Sequence, residues 1–250
     1  MQTNGQNVKI RTGVKGIAEA SKDSDMIIVI DVLRASSTII TALENGASSI
    51  FPTMTIREAK DLGKRISNSI LAGERKGFRI PGFSLGNSPL EYTPGTVQGK
   101  NILLTTSNCT RVLDSCRRLP SKTKVVIGAL LNAWALAEVS RKVLREGDGE
   151  ISIVQAGTRG RQSQDDCICA DVLHTMIENK TERVLEPPVQ TIVNMLLYTV
   201  LSATRHGKRL IEIGYGNDVR YCGQLNISNV VPELSRNSEG LLRITKGPDF

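Results

Sequence analysis

The sequence is poor in aromatic residues and has no long hydrophobic run. Phe, Trp and Tyr make up only 4% of the 250 residues, so a stacking surface for nucleic-acid bases is hard to build. The longest apolar runs, Met26–Ile30 and Met195–Leu201, are far shorter than the roughly 20 residues that cross a bilayer. We therefore expect neither nucleic acid nor a membrane as partner. The formal charge of +7 favours a small anionic substrate, and a homo-oligomer is compatible with the sequence.

Cysteine and histidine are too few for a disulfide framework or a zinc site. The five cysteines are odd in number and scattered, and Cys167 and Cys169 lie too close together for a zinc knuckle. The segment Met1–Lys9 is polar and lacks the apolar stretch of a signal peptide. These features predict a cytoplasmic protein with free thiols.

Several familiar catalytic motifs are missing. The chain contains no G-x-x-x-x-G-K-[ST] segment, no G-x-G-x-x-G after a strand and no G-x-S-x-G, which excludes a P-loop, a dinucleotide fingerprint and a hydrolase elbow. No cysteine is followed six positions later by arginine, so a tyrosine-phosphatase loop is excluded. Leu33 stands two residues after Asp31, where a haloacid-dehalogenase-type enzyme needs a second aspartate.

Short apolar runs alternate with helical periods along most of the chain. Met26–Val32 is a continuous apolar run typical of a buried parallel strand, and a helix is predicted over Ser36–Asn45. Other predicted strands are Ser49–Phe51, Ser69–Ala72, Asn101–Thr106, Lys124–Gly128, Glu150–Val154 and, at an edge, Leu241–Thr245. Further helices are predicted after a Thr55/Glu58 capping box, after caps at Asn108 and Asn132, and over Asp165–Glu178, Gln190–Arg205, Gly207–Gly214 and Asp218–Gln224. The pattern predicts a single domain over residues 1–250, with a three-layer α/β/α fold and a mostly parallel sheet.

Polar and charged residues follow nearly every predicted strand. Ligands of open α/β sheets bind outside the carboxyl ends of the strands. Four acids at such positions are the hard oxygen donors that Mg²⁺ prefers: Asp31, Glu74, Asp165 and Asp166. Arg34, Arg111 and hydroxyls beside helix starts suit a phosphate or another oxyanion. A metal together with an anion cradle is what phosphoryl transfer needs, although each acid alone is also explained as a turn cap, a first-turn acid or a surface pair.

The segment Gly73–Gly99 is long, rich in Gly and Pro, and without a clear period. Loops of this length inside a domain are usually functional or disordered, and the interspersed Phe78, Ile80 and Tyr92 favour an ordered loop.

Seven segments carry a likeness to a known family. They are Asp31–Thr38, Gly73–Gly77, Gly82–Pro89 with Glu91–Tyr92, Thr105–Arg111, Gly128–Ala133, Asp165–Asp166, and Gly214–Asp218 with Tyr221–Cys222. Together they strongly resemble the 2-phosphosulfolactate phosphatases over about Ile27 to Pro232, and the G-x-x-L-G-N-S-P block is the most specific of them. Two positions depart from the family pattern, with Cys109 where glycine is expected and Asp165 where glutamate is usual.

The resemblance implies Mg²⁺-dependent hydrolysis of 2-phospho-3-sulfolactate to 3-sulfolactate and phosphate, in coenzyme M biosynthesis or in sulfolactate formation. With the residue pattern, it assigns the four acids to Mg²⁺ binding, and Asp31, Glu74 and Asp166 also to catalysis. Asn87 and Ser88 on the long loop are expected to close over the substrate. The remaining expected substrate-binding residues are Arg34, Thr106, Asn108, Thr110, Arg111 and Asn132.

Two mechanisms and several functions stay open at this point. Asp31 either helps Mg²⁺ to orient a water for in-line attack or attacks itself and forms an aspartyl-phosphate. The missing acid at Leu33 favours the water route. The alternatives in function are a phosphatase of other 2-phosphohydroxy acids, such as phospholactate or phosphoglycolate, and a non-catalytic anion-binding protein.

Overall fold

The computed structural model describes residues 7–146, 149–179 and 185–247. Within these ranges, ten strands form one sheet in the order β1-β8-β2-β7-β9-β10-β3-β6-β4-β5. The strands are β1 Val8–Thr12, β2 Met26–Ile30, β3 Ser49–Pro52, β4 Ser69–Arg75, β5 Phe78–Arg79, β6 Asn101–Thr105, β7 Lys124–Gly128, β8 Ile151–Gln155, β9 Pro232–Arg236 and β10 Leu242–Lys246. The helices are α1 Gly13–Asp23, α2 Ala35–Glu44, α3 Ile56–Arg65, α4 Pro94–Val97, α5 Cys109–Ser115, α6 Ala133–Arg145, α7 Gln164–Glu178, α8 Pro187–Ala203, α9 Arg205–Glu212 and α10 Gly216–Cys222.

The sheet is built from two parallel groups that run in opposite directions. Strands β1, β8, β2 and β7 pair in parallel, and so do β3, β6 and β4. The hairpin of β9 and β10 lies between the groups, and all three pairings from β7 through β9 and β10 to β3 are antiparallel. Three reversals leave β3 antiparallel to β7. The prediction of a mostly parallel sheet is confirmed.

The last strand lies in the interior of the sheet, so its prediction as an edge strand was wrong. A turn reverses the chain between β9 and β10, in which the N–H of Gly240 donates to the carbonyl of Asn237 and the N–H of Asn237 donates to that of Leu241. Leu242 and Ile244 of β10 are buried in the same core as Leu234 of β9. The hairpin joins the two parallel groups.

Strand β2 is apolar throughout because both of its faces are covered. Ile27 and Val29 belong to a core that also includes Ile39 of α2 and side chains of α1 and α5. Met26 and Ile28 point into a second core, formed with the helices α6 to α10. Helix α3 covers the outer face of the second parallel group in a smaller core. This arrangement is the predicted three-layer α/β/α fold, and no described helix is both long and apolar enough to cross a bilayer.

Local capping signals account for some of the helix starts, but not for others. Thr55 accepts a hydrogen bond from the backbone of Glu58 at 3.0 Å, as the capping box predicted. Asn108 and Asn132 occupy N-cap positions but make no capping hydrogen bond, so their predicted roles as caps were wrong. The segment Gly73–Gly99 is ordered, as expected, and includes β5, α4 and a 3₁₀ turn at Pro89–Glu91.

Candidate active site

Three buried carboxylates meet at the carboxyl ends of β2 and β8. Asp31 directly follows β2, and Asp165 and Asp166 lie in the first turn of α7, after β8. Because β2 and β8 are adjacent and parallel, their ends lie side by side. The three residues are 8%, 2% and 2% exposed, in the same order.

Asp166 ties the ends of the two strands together. Its Oδ1 accepts from the backbone N–H of Val32 at 3.0 Å, and its Oδ2 accepts from that of Gly157 at 2.9 Å. The hydroxyl of Ser163 donates to Oδ2 as well, at 2.9 Å. The two carboxylate oxygens therefore hold three donors and fix the loop between β8 and α7.

Burial and mutual repulsion raise the pKa values of Asp31 and Asp166. Burial raises the pKa of Asp31 well above its usual value, Asp166 and Asp165 raise it further, and His206 opposes them. Burial, followed by the charge of Asp165, raises the pKa of Asp166 to about 7. The site thus favours a cation or a proton among the three carboxylates.

His206 is a member of this cluster that the sequence reasoning missed. Its Nδ1 lies 3.1 Å from Oδ2 of Asp165, and its side chain is 33% exposed. Burial lowers the pKa of His206, but the hydrogen bond to Asp165 and the nearby carboxylates outweigh this, so the net pKa is raised. Its only signal in the sequence was rarity, since the chain has two histidines.

One carboxylate oxygen of the cluster is buried without a partner. Oδ1 of Asp165 makes no hydrogen bond although it is shielded from solvent. Such an atom is costly unless a ligand, ion or water completes it. Asp31 uses only Oδ1 in a long hydrogen bond from the backbone of Ala35, at 3.4 Å, among the described residues. Two acids therefore keep oxygens available for a ligand.

Arg34 is buried beside the cluster and is held on three sides. It is 2% exposed, and its Nη1 lies 2.5 Å from Oδ2 of Asp218. Its Nη2 donates to the carbonyl of Gly77 at 2.8 Å, and its guanidinium lies 4.1 Å from the ring centre of Tyr215. Asp218 was part of a resemblance motif but was not predicted as a site residue.

The long loop is anchored to the same elements through its 87–88 segment. The hydroxyl of Ser88 donates to Oδ1 of Asp218 at 2.8 Å, and that of Thr38 in α2 donates to the carbonyl of Asn87 at 3.0 Å. Oδ1 of Asn87 is buried and unpartnered. The loop is thereby fixed beside Arg34, and Asn87 keeps a free polar atom.

Glu74 lies near the end of β4, and both of its carboxylate oxygens bind backbone groups of neighbouring loops. Its Oε1 accepts from the backbone of Ser107 at 2.8 Å, and its Oε2 accepts from that of Gly77 at 2.8 Å. Both oxygens therefore brace loops, and one of these loops delivers the Gly77 carbonyl to Arg34. The predicted metal-binding and catalytic roles of Glu74 stay predictions.

The loop after β6 reaches the loop after β8, which brings the two strand groups together. Oδ1 of Asn108 accepts from the backbone of Arg159 at 3.4 Å. The hydroxyls of Thr106 and Thr110 bond to each other's backbone groups at the start of α5. Arg111 is exposed and forms no ion pair within the described ranges, so its charge is free for an anion.

Asn132 directs its side-chain amide at backbone groups, and its predicted role in substrate binding stays a prediction. It is fully buried. Its Oδ1 accepts from the backbone of Ala129 at 3.0 Å, and its Nδ2 donates to the carbonyls of Ile127 and Val230 at 3.2 and 2.8 Å. The side chain holds the turn between β7 and α6.

The acid cluster offers carboxylate oxygens as ligands for a divalent ion. Within the described ranges, no three His, Cys, Asp or Glu side chains form a group that could hold a metal. Mg²⁺, however, is usually held by one or two carboxylates, with waters and substrate phosphate as further ligands. The unpartnered oxygen of Asp165 and the free oxygen of Asp31 fit that manner of binding.

Comparisons with known proteins agree on one family. A family model described as 2-phosphosulpholactate phosphatase matches residues 14–237. A probable 2-phosphosulfolactate phosphatase of Clostridium botulinum strain Alaska E43 is 39% identical over 216 residues, covering 83% of this chain and 87% of that protein. Proteins with the same description from Carboxydothermus hydrogenoformans and Clostridium tetani are both 37% identical. Those matches cover 83% and 91% of this chain, and 85% and 97% of those proteins, respectively.

Proposed function

Because the chain belongs to the 2-phosphosulpholactate phosphatase family, we propose that it hydrolyses 2-phospho-3-sulfolactate to 3-sulfolactate and phosphate. The observation that carries the proposal is the buried cluster of Asp31, Asp165 and Asp166 with His206 against it. Buried carboxylates that repel one another favour a bound cation, and phosphoryl transfer uses a cation to neutralise the charge on the phosphoryl oxygens. The reaction is a phosphoric monoester hydrolysis, in which a phosphorus–oxygen bond breaks and water supplies the new oxygen.

Asp31 and Asp165 are the residues that we expect to hold Mg²⁺. Bound there, the ion supplies charge neutralisation at the phosphoryl oxygens and lowers the pKa of a bound water. Both carboxylate oxygens of Asp166 accept hydrogen bonds from Val32, Gly157 and Ser163. Its role is therefore to fix the loop between β8 and α7, next to the first turn of α7 that carries Asp165. This division narrows the predicted set of four ligands to two principal ones.

Positive groups on the loops after β6 and β8 suit a substrate with three anionic groups. Arg111 is exposed at the start of α5, and the backbone N–H of Arg159 donates to the side chain of Asn108, three residues before Arg111. Phosphate, sulfonate and carboxylate groups all accept bidentate hydrogen bonds from guanidinium. Arg34, by contrast, is already paired with Asp218. Because Ser88 also donates to Asp218, this ion pair helps to fix the loop at 87–88.

His206 is the residue that we assign to protonate the leaving oxygen. Asp165 engages Nδ1, which leaves Nε2 as the ring nitrogen without a partner among the described residues. Burial lowers the pKa of His206, but the hydrogen bond to Asp165 and the charges of the nearby carboxylates outweigh it, so the net pKa is raised, which favours the protonated ring that a general acid needs. The alkoxide that departs from phosphorus takes this proton and leaves as the alcohol.

Asp31 has two conceivable roles, and one experiment separates them. In the first it orients the attacking water, and in the second its free oxygen attacks phosphorus and forms an aspartyl-phosphate. A phosphate ester that is chiral at phosphorus separates the two routes, because direct attack by water inverts the configuration and two successive displacements through Asp31 retain it. Inversion supports direct attack by water, and retention supports the aspartyl-phosphate.

A panel of phosphate esters tests the proposed substrate. We expect phosphate release from 2-phospho-3-sulfolactate with a much higher kcat/KM than from phospholactate or phosphoglycolate, because the sulfonate adds a charged contact. Equal rates on all three esters assign the chain to 2-phosphohydroxy acids in general. Tight binding of sulfolactate with no turnover of any ester makes the chain an anion-binding protein.

The biological setting of the reaction is also part of the proposal. The hydrolysis is expected to serve coenzyme M biosynthesis or sulfolactate formation, and the reaction is expected to take place in the cytoplasm. Fractionation of cells and loss of sulfolactate on deletion of the gene test these two expectations.

A further inference from the structure

Helix α8 exposes an unusual amount of apolar surface. Val189, Ile192, Met195, Leu196 and Val200 are 45%, 57%, 63%, 61% and 43% exposed. They recur at helical spacing, so they form one continuous stripe along the 17-residue helix. The opposite face, with the buried Leu197 and Leu201, packs in the core that α6 to α10 share.

The same helix has no charged residue. Between Pro187 and Ala203 there is no Asp, Glu, Lys, Arg or His, whereas every other described helix of eight or more residues has at least one. A helix face that stays in water normally gains solubility from such groups. The absence of charge along α8 therefore points to a face that is covered.

The exposed threonine hydroxyls of α8 donate their hydrogen bonds within the helix. Thr191 donates to the carbonyl of Pro187 at 2.9 Å, and Thr199 donates to that of Met195 at 2.8 Å. Both hydrogen bonds lie within the helix. Another surface can therefore cover this face without leaving these hydroxyls unsatisfied.

We propose that α8 is the contact surface of a symmetric dimer, in which the α8 helices of two copies pack against each other. This inference does not rest on the proposed reaction. The chain carries a net charge of +7, so two copies repel each other except where a surface lacks charge, and the α8 stripe is such a surface. A lipid surface is the less favoured occupant, because membrane-bound helices usually carry Lys or Arg along their own polar face and α8 has none, although the Arg220 guanidinium of α10 lies 4.6 Å from the ring centre of Tyr198.

Two-fold symmetry fixes which residues meet. In an antiparallel pair centred on Leu196, this residue faces its own copy, and Ile192 faces Val200 of the other copy. A helix of 17 residues is about 25 Å long, so the interface buries on the order of 500 Å² per copy. This area is below the standard size, and we expect the dimer to dissociate in the micromolar range.

Sedimentation velocity of the full chain over sub-micromolar to high-micromolar concentrations tests the proposal. We expect a monomer–dimer equilibrium for the unchanged chain and a monomer for Leu196→Glu, which sets two carboxylates against each other. Val14→Glu is the matched control, because Val14 is 44% exposed on α1, away from α8, and should leave the dimer intact. Circular dichroism checks that each variant is folded.

Cysteine cross-linking locates the interface independently. Leu196→Cys should give a disulfide-linked dimer under mild oxidation, and Val14→Cys should not. A chain that stays monomeric at all concentrations overturns the proposal, and so does a dimer that Leu196→Glu leaves unchanged. A monomer that sediments with lipid vesicles overturns it in favour of a membrane surface.

Discussion

Arg34 and Asp218 form a buried ion pair, with 2.5 Å between Nη1 and Oδ2 and side chains only 2% and 4% exposed. The pair joins the start of α2 to α10, and Ser88 of the long loop donates to the second oxygen of Asp218 at 2.8 Å. Three segments distant in sequence are thereby fixed beside the acid cluster. The cost of leaving one charge unpaired here is much greater than at the surface.

Asp218→Asn should therefore destabilise the fold by about 3–5 kcal/mol, because it leaves Arg34 buried without its counter-charge. Urea unfolding measures the change. The matched control is Glu239→Gln, which breaks the exposed pair with Arg65 and should cost at most about 1 kcal/mol. Equal losses for the two variants would show that the buried pair has no special role.

Asp31→Asn should lower kcat at least about 100-fold, by either of the two chemical routes. The same change should raise the free energy of unfolding at pH 8, since it removes a buried charge that its neighbours repel. The control is Asp171→Asn, an exposed position on the same helix as Asp165. Near-normal phosphate release from Asp31→Asn at saturating Mg²⁺ would reject a primary role for Asp31.

The stability of the metal-free protein should fall as pH rises from about 4 to 7. Asp31 and Asp166 have raised pKa values in the folded state, about 7 for Asp166, so their contribution is fully present below their unfolded values near 4. It is lost as pH climbs through the folded values. Urea midpoints across this range measure the decline, which should be smaller in Asp31→Asn. Stability that increases over the same interval would contradict the burial of these acids.

His206→Asn should lower kcat for 2-phosphosulfolactate by about 100-fold and leave KM nearly unchanged. The kcat for an aryl phosphate, whose leaving group needs no proton, should fall much less, because the substitution removes a proton donor. His174→Asn is the control, as His174 lies on α7 and pairs with Glu178 at the surface. If both substrates lose activity equally, His206 serves to position other groups.

The sequence predicted the elements that depend on local or nearby patterns. Lys124–Gly128 was predicted with the bounds that the structure has, the helix expected after Asn132 begins at Ala133, and Asp31 was found from the apolar run before it. Strand β10 was missed as an interior strand because burial of Leu242 and Ile244 depends on pairing with β9, which the pattern did not reveal. Neither β9 nor the first two elements of the chain were predicted.

For the candidate site too, the sequence predicted residues that follow local patterns and missed those that depend on tertiary packing. Asp165 and Asp166 were identified because they begin a helix after a strand, and their approach to Asp31 follows from parallel neighbours. The contact between His206 and Asp165 spans 41 residues and follows from the packing of α9 on α7, for which the sequence offers no spacing rule. Asn132 was chosen for its position at a helix start, but complete burial of its amide was not readable from type and position alone.

The most direct test is phosphate release from 2-phosphosulfolactate while Mg²⁺ is removed by a chelator and then restored. The account predicts that activity disappears without the ion, returns with it, and is absent in Asp31→Asn under both conditions. Asp171→Asn should follow the unchanged chain. Full activity in the presence of the chelator would contradict the claim that the buried aspartates act by holding a cation.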